Sequence, residues 1–304
     1  MSSRYPILRQ IGLQLFLLAV LATVLFPIMW IVSMALDPRN IDKPLELTLI
    51  PPGASLAAFR KVLLEPFGLL CTNPTDPSTC MTFSKLLANS LLVALGTSLF
   101  AVSFGATAAY AFSRFNFIGR QLGMLGFIIL LMLPATATLA PLFVLLSQVR
   151  IGDESLRTTL IGLMIAYAST ALPFAIWNLK GYFDTIPKEL EEAALIDGAS
   201  VTRTFFSVIL PLSVPALAVT ILFSFMTGWT EFILAWTFLE TPTRFTLAMA
   251  LRSMQGQFAT PWSEFAAMSI LMTIPILILF FAFQRYIVSG LTVGGVRIRD
   301  FYLC

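Results

Sequence analysis

Three glutamates crowd into four positions of one polar stretch, Glu189, Glu191 and Glu192 in KELEEAALIDGAS. One further acid, Glu231, stands deep in an apolar run, GWTEFILAW, and two cysteines, Cys71 and Cys80, bracket the turn CTNPTDPSTC. Acids on the early turns of a helix suit the positive end of its dipole, so the first group reads as a helix start. Histidine is absent, which removes His general bases, the triads that use them and almost every catalytic zinc site. The dipeptide Gly-Lys never occurs, so there is no phosphate-cradling G-x-x-x-x-G-K-[ST] loop. If ATP drives this protein, another chain binds it. Asp184 and Asp197 both fall in the same polar stretch, which leaves a paired-aspartate intramembrane protease without its second acid in a span. No metal site, cofactor or enzymatic activity is expected.

The elements that position these residues are apolar helices. Of 304 residues, 58% are hydrophobic and 12% charged, and mean hydropathy is +0.87. Soluble domains average about 45–50% apolar and about 25% charged, so the chain is an integral membrane protein. Its net charge of +3 is spread along the sequence, giving no basic cluster for nucleic acid. A bilayer core about 30 Å thick needs roughly 20 apolar residues per helix. Six stretches qualify, at about 11–36, 86–112, 122–148, 158–182, 212–238 and 265–286. The expected fold is all-α and polytopic, a single 1–304 domain with six transmembrane helices. The first stretch is too long, and too poor in a small-residue cleavage site, to be a removed signal peptide.

An even number of spans puts both termini on one side. With that side cytoplasmic, ten Lys or Arg face in and nine face out; setting aside Arg39, Lys43, Arg60, Lys61 and Lys85 of the long first loop leaves ten against four. That bias favours cytoplasmic termini and places the loop, about 37–85, outside. An oxidising exterior allows a Cys71–Cys80 disulfide, the alternative being two unpaired thiols. Cys304 is left over. Proline at Pro27, Pro134, Pro141, Pro173, Pro215 and Pro275 bends helices, although proline is also commoner in transmembrane helices generally.

Between the fourth and fifth spans, about 183–211 reads as a cytoplasmic helix-turn-helix. Pro187 suits a first helical turn, Gly198 a left-handed stop, and Ser200 a cap for the next helix. Leu190, Ala193, Ala194 and Ile196 give the first helix a small apolar surface, a knob suited to a socket on a partner. The alternative is a helix lying on the bilayer, but those are usually basic on their polar face and this one is acidic.

Glu192, Ala193 and Ala194, then Gly198 six residues after the Glu, then Val208, Leu210 and Pro211, resemble the EAA loop of ATP-binding-cassette importer permeases, with Val208 where Ile is usual. The resemblance implies that the loop is a coupling helix seated in a separate ATPase subunit. Glu192 then makes a polar contact with that subunit, Ala193 and Ala194 keep the knob small, Gly198 sets the turn, and Leu210 and Pro211 complete the motif. LEEAALIDGAS, SEFAA at 263–267 and QRYIVSGLTVGGV at 284–296 are similar to maltose-type sugar permeases within that family. This implies an inner-membrane importer of maltose- or maltodextrin-type oligosaccharides. Its partners would be a second, homologous permease chain in a heterodimer, two copies of the ATPase and an external sugar-binding protein. The outer loop at about 253–261, with Gln255, Gln257 and Phe258, occupies the place of a loop that meets the binding protein. The tail through Arg297, Arg299 and Asp300 would reach the ATPase.

A charge at the depth of Glu231 costs about 2.5–3.5 kcal/mol on insertion scales. With Trp229 it is read as lining the pathway or bonding across the subunit interface; otherwise it lies nearer the outer interface or is protonated. Trp30, Trp177, Trp229 and Trp236 could stack on sugar rings, but packing and interfacial anchoring account for most aromatics here. The remaining rival, a self-sufficient secondary transporter or channel, wants ion-coupling groups within the bundle and often inverted repeats. One intramembrane acid and no visible repeat argue against it.

Overall fold

A computed structural model of the chain describes residues 7–39, 50–73, 75–76, 79–256 and 260–295, without the side chains of 7, 8, 69, 135 and 287–295. Gln257, Phe258, Arg297, Arg299, Asp300 and Cys304 lie outside the described residues. In chain order the elements are α1 (Ile7–Leu36), α2 (Ala57–Leu64), β1 (Phe67–Cys71), β2 (Cys80–Met81), α3 (Phe83–Arg114), α4 (Arg120–Met132), α5 (Leu139–Gln148), β3 (Arg150–Ile151) and β4 (Glu154–Ser155). They continue as α6 (Leu160–Phe183), α7 (Glu189–Ile196), α8 (Val201–Thr204), α9 (Leu210–Leu212), α10 (Val214–Thr230), α11 (Ile233–Phe238), α12 (Leu247–Ser253) and α13 (Trp262–Gly295). Among the described residues the fold is all-α apart from two two-stranded ribbons, β1 with β2 and β3 with β4.

Among the described residues four helices, α1, α3, α6 and α13, are long and apolar enough to cross a membrane, and the number rises to six if each of two bent pairs, α4 with α5 and α8–α9 with α10, is one span. The expected third span is not straight. It turns by 106° between α4 and α5, where Pro134 is extended and a 3-10 turn, Ala135–Thr138, replaces the α-helix. Pro27, Pro173 and Pro275, by contrast, stay inside continuous helices. The fifth span is shorter than expected: α10 stops at Thr230 and α11 restarts at Ile233.

The chain forms two compact units. The first holds Met1–Phe67 and Leu251–Ile274, the second Gly68–Ala250 and Pro275–Cys304. Within the first unit, the most apolar stretch of α1 is wholly exposed, an all-round apolar surface that suits lipid or another chain. Lys61 of α2 pairs with Glu264 of α13 at 2.6 Å, and this bond, the largest cause, raises the Lys61 pKa against the opposing pull of burial.

The second unit is built on α3, α6 and α10. Small residues let α3 and α6 run closely parallel: Gly96 faces Met164, Gly105 faces Ala175, and Ser113 bonds Asp184. Helix α10 runs the other way, so that a Cβ on Gly228 would lie 2.9 Å from the Ala94 Cα. Close approach through small residues is how helices associate in lipid, where no hydrophobic drive separates helix from solvent. One cluster, with Leu163, Tyr167, Phe238 and Met249, fills the end near the α3 start. A second, with Tyr110, Phe183, Phe205 and Ile209, fills the end where α3 finishes.

Candidate functional site

The polar stretch of 183–211 folds as a helix, a turn and a second helix. Helix α7 spans eight residues and stops because Gly198 takes φ of +86°, a region that costs an L-residue about 1–2 kcal/mol. The stop is closed by two backbone bonds, Gly198 N–H to the Leu195 carbonyl and Ala199 N–H to the Ala194 carbonyl, each 3.0 Å, the crossed pattern that satisfies the last carbonyls of a helix. Ser200 then caps α8, its hydroxyl accepting from Arg203 N–H at 3.2 Å. The second helix runs on through a π turn, Phe205–Ile209, and α9, then bends by 81° into α10.

Glu192, Ala193 and Gly198 are exposed, as is Pro211, while Ala194 and Leu210 are half-buried. Leu190, Leu195 and Ile196 are exposed as well, Ile196 at 86%. A helix presenting this much apolar surface beside two exposed acids has the composition of a docking face.

Glu191 behaves differently from its neighbours, and its sequence context does not announce it. It is buried, at 8% exposure, and turned onto α3. Arg114 Nε donates to its Oε1, and the Tyr110 hydroxyl donates to Oε2 at 2.9 Å. Arg114 also donates from Nη2 to the Ile186 carbonyl at 3.0 Å and from Nη1 to Ser113 Oγ at 3.2 Å. Ser113 in turn donates to Asp184 at 2.6 Å, and Lys180 holds the other Asp184 oxygen at 2.5 Å. Burial works to raise the Asp184 pKa, but the bonds from Lys180 and Ser113 outweigh it and leave the carboxyl below its ordinary value. The available signal was Arg114 itself, a cation at the end of a long apolar run, for which a nearby acid is needed once it is buried.

Glu231 sits where α10 gives way to α11. Its Oε1 accepts from Ile233 N–H at 2.8 Å, and both oxygens accept from Leu234 N–H, at 3.2 and 3.1 Å. The Tyr167 hydroxyl donates to its backbone carbonyl at 3.1 Å. Two backbone amides freed by the helix break thus offset the cost of the charge. The reading of Trp229 as a pathway or interface residue is corrected: it is 1% exposed and stacked on Phe225 inside the chain's own core. Cys71 and Cys80 are disulfide-bonded, so the two-thiol alternative is set aside. Gln255 is exposed and accepts from Arg252 at 2.7 Å.

Residues 101–293, which contain the whole loop, match the family described as binding-protein-dependent transport system inner membrane components. The chain belongs to this family. It is a multi-pass permease component of a membrane transport system, as the loop's resemblance implied. The maltose/maltodextrin transport system permease protein MalG of Yersinia pestis is 35% identical over 95% of this chain and 94% of its own. The trehalose transport system permease protein of Mycobacterium tuberculosis is 34% identical over 90% and 92%, and the maltodextrin permease protein of Bacillus subtilis is 38% identical over 69% and 74%. Among solved structures, a bacterial ABC transporter involved in import of the acidic polysaccharide alginate shares the fold, with a TM-score of 0.74, 21% identity and coverage of 94% of this chain and 99% of that one.

Proposed function

We propose that the chain is one of two homologous permease subunits of an ATP-binding-cassette importer for maltose- or maltodextrin-type oligosaccharides, with α7 as its coupling helix. The single observation that carries this reading is the exposed face of α7, where Glu192, Ala193, Leu195 and Ile196 stand beside a turn set by Gly198. The face is short, apolar and acid-edged, and no residue of its own chain covers it among those described. Two copies of a separate ATPase supply the nucleotide site, one socket for each permease. The substrates in the names of the relatives support the sugar class.

Both termini are cytoplasmic in this reading, and the 37–85 loop with its disulfide faces the oxidising exterior. An external sugar-binding protein meets the outer loops, with Gln255, Gln257 and Phe258 among the contacts. Glu231 acts at the pathway indirectly, by holding the break between α10 and α11 in shape.

Proteoliposomes holding the complete complex test the reading. Uptake of labelled maltodextrin should require both ATP inside and the binding protein outside. Uptake driven by an ion gradient without the ATPase would replace this reading with a secondary carrier.

A further inference from the structure

A coupling helix transmits force only if it is fixed to the spans it is meant to move. Helix α7 is eight residues long and is joined to α6 and α8 by the short segments 184–188 and 197–200. Covalently it leads through α8 and α9 to α10, with an 81° bend on the way. Nothing in the covalent path ties it to α3, the helix that packs against both α6 and α10.

That tie is the carboxylate of Glu191. One oxygen is held by Arg114 and the other by Tyr110, residues four apart and so on one face of α3. Two points of attachment fix the rotation of the carboxylate as well as its distance. The side chains of Arg114 and Glu191 are only 7% and 11% exposed, so water neither screens the pair nor competes for its bonds. Arg114 spends its three nitrogens on three different segments: α7 through Glu191, the 184–188 linker through the Ile186 carbonyl, and its own helix through Ser113. Only the planar fork of arginine reaches all three at once; the lysine ammonium is a single point.

We propose that Arg114 is a positioning residue, the joint through which displacement of α7 moves α3, and that Glu191 rather than Glu192 is the acid through which this chain receives the motion. The proposal rests on α7 being the coupling helix. In it the two adjacent glutamates divide their labour, Glu192 facing the partner and Glu191 facing the spans.

The test uses the assembled complex in proteoliposomes and reads sugar transported per ATP hydrolysed, together with the amount of ATPase that co-purifies. Glu191→Gln and Arg114→Lys should each lower the transport-to-hydrolysis ratio about fivefold, the lower end of ordinary coupling factors. Tyr110→Phe, which removes one hydroxyl and is the mildest change, should lower it about twofold. Exchanging the charges, Arg114→Glu with Glu191→Arg, should recover part of the ratio lost in Glu191→Arg alone. A merely structural role would reduce the yield of complex and leave the ratio where it was, and that outcome overturns the proposal. So does an unchanged ratio in Tyr110→Phe and Glu191→Gln complexes of normal yield. A cysteine at Ala193 separates the two ideas. If it crosslinks to the ATPase while the ratios stay unchanged, only the joint fails; if it never crosslinks, the coupling-helix reading fails first.

Discussion

The two ends of the second unit use ion pairs in opposite ways. At the end where α3 finishes, Arg114 and Glu191 are buried together and every polar atom of the pair is assigned a bond. At the end where α3 begins, two pairs cross between the β3–β4 ribbon region and the segment after α11: Arg157 with Glu240 and Arg244 with Glu154. There the arginines are anchored by carbonyls, Arg157 on Phe238 and Arg244 on Thr158, each at 2.9 Å, while Glu240 and Glu154 are 66% and 55% exposed. Burial makes the first pair a fixed joint. Exposure makes the acids of the second replaceable, since screened surface pairs contribute about 0–1 kcal/mol.

Arg114→Ala breaks the comparison most sharply. Removing one member of a buried pair should cost about 3–5 kcal/mol, read as thermal unfolding of the purified complex, and a loss below 1 kcal/mol would make the two ends equivalent. Gly198→Asp comes next. Left-handed strain of about 1–2 kcal/mol should misplace α7, so ATP hydrolysis proceeds without uptake while the complex still assembles; coupled uptake in this variant would count against a fixed knob. Glu231→Ala removes the bonds to Ile233 and Leu234 at the helix break and should cost about 1 kcal/mol, lowering uptake but not membrane insertion; normal uptake would show that the break holds its shape unaided. At the other end, Glu240→Gln should change stability by less than about 1 kcal/mol, and the small change should shrink further in high salt. The smallest effect is at Asp184. Its folded pKa lies below the ordinary 3.8, so its contribution is present above that pH and lost as pH falls through the folded value. Asp184→Asn should flatten the pH dependence in that acid window and remove the small contribution present above it.

Much of this was legible from residue order. Apolar run lengths located the helices, and Gly198 and Ser200 located the turn of the loop with the conformations expected of them, whereas Pro187 lies one residue before the Lys188 cap of α7 and not in its first turn. What could not be read was which glutamate turns inward. Glu189, Glu191 and Glu192 share the same turns and the same chemistry, and the choice is made by Arg114, 77 residues away. The 106° bend at Pro134 was equally hidden, because Pro27, Pro173 and Pro275 carry the same residue type through unbroken helices. The burial of Trp229 is hidden for a related reason: proximity in sequence to an intramembrane acid says nothing about which face of α10 the indole occupies, and Gly228 beside it packs against α3. Local rules set the elements, and long-range pairing assigned their faces.

The most direct measurement is a crosslinking scan of α7 in membranes containing the whole complex, with single cysteines at Glu192, Ala193 and Ile196. The account predicts crosslinks from all three to the nucleotide-hydrolysing subunit, with reagent reaching them only from the cytoplasmic side. Labelling from the outside, or crosslinks to lipid and to no protein, would contradict it.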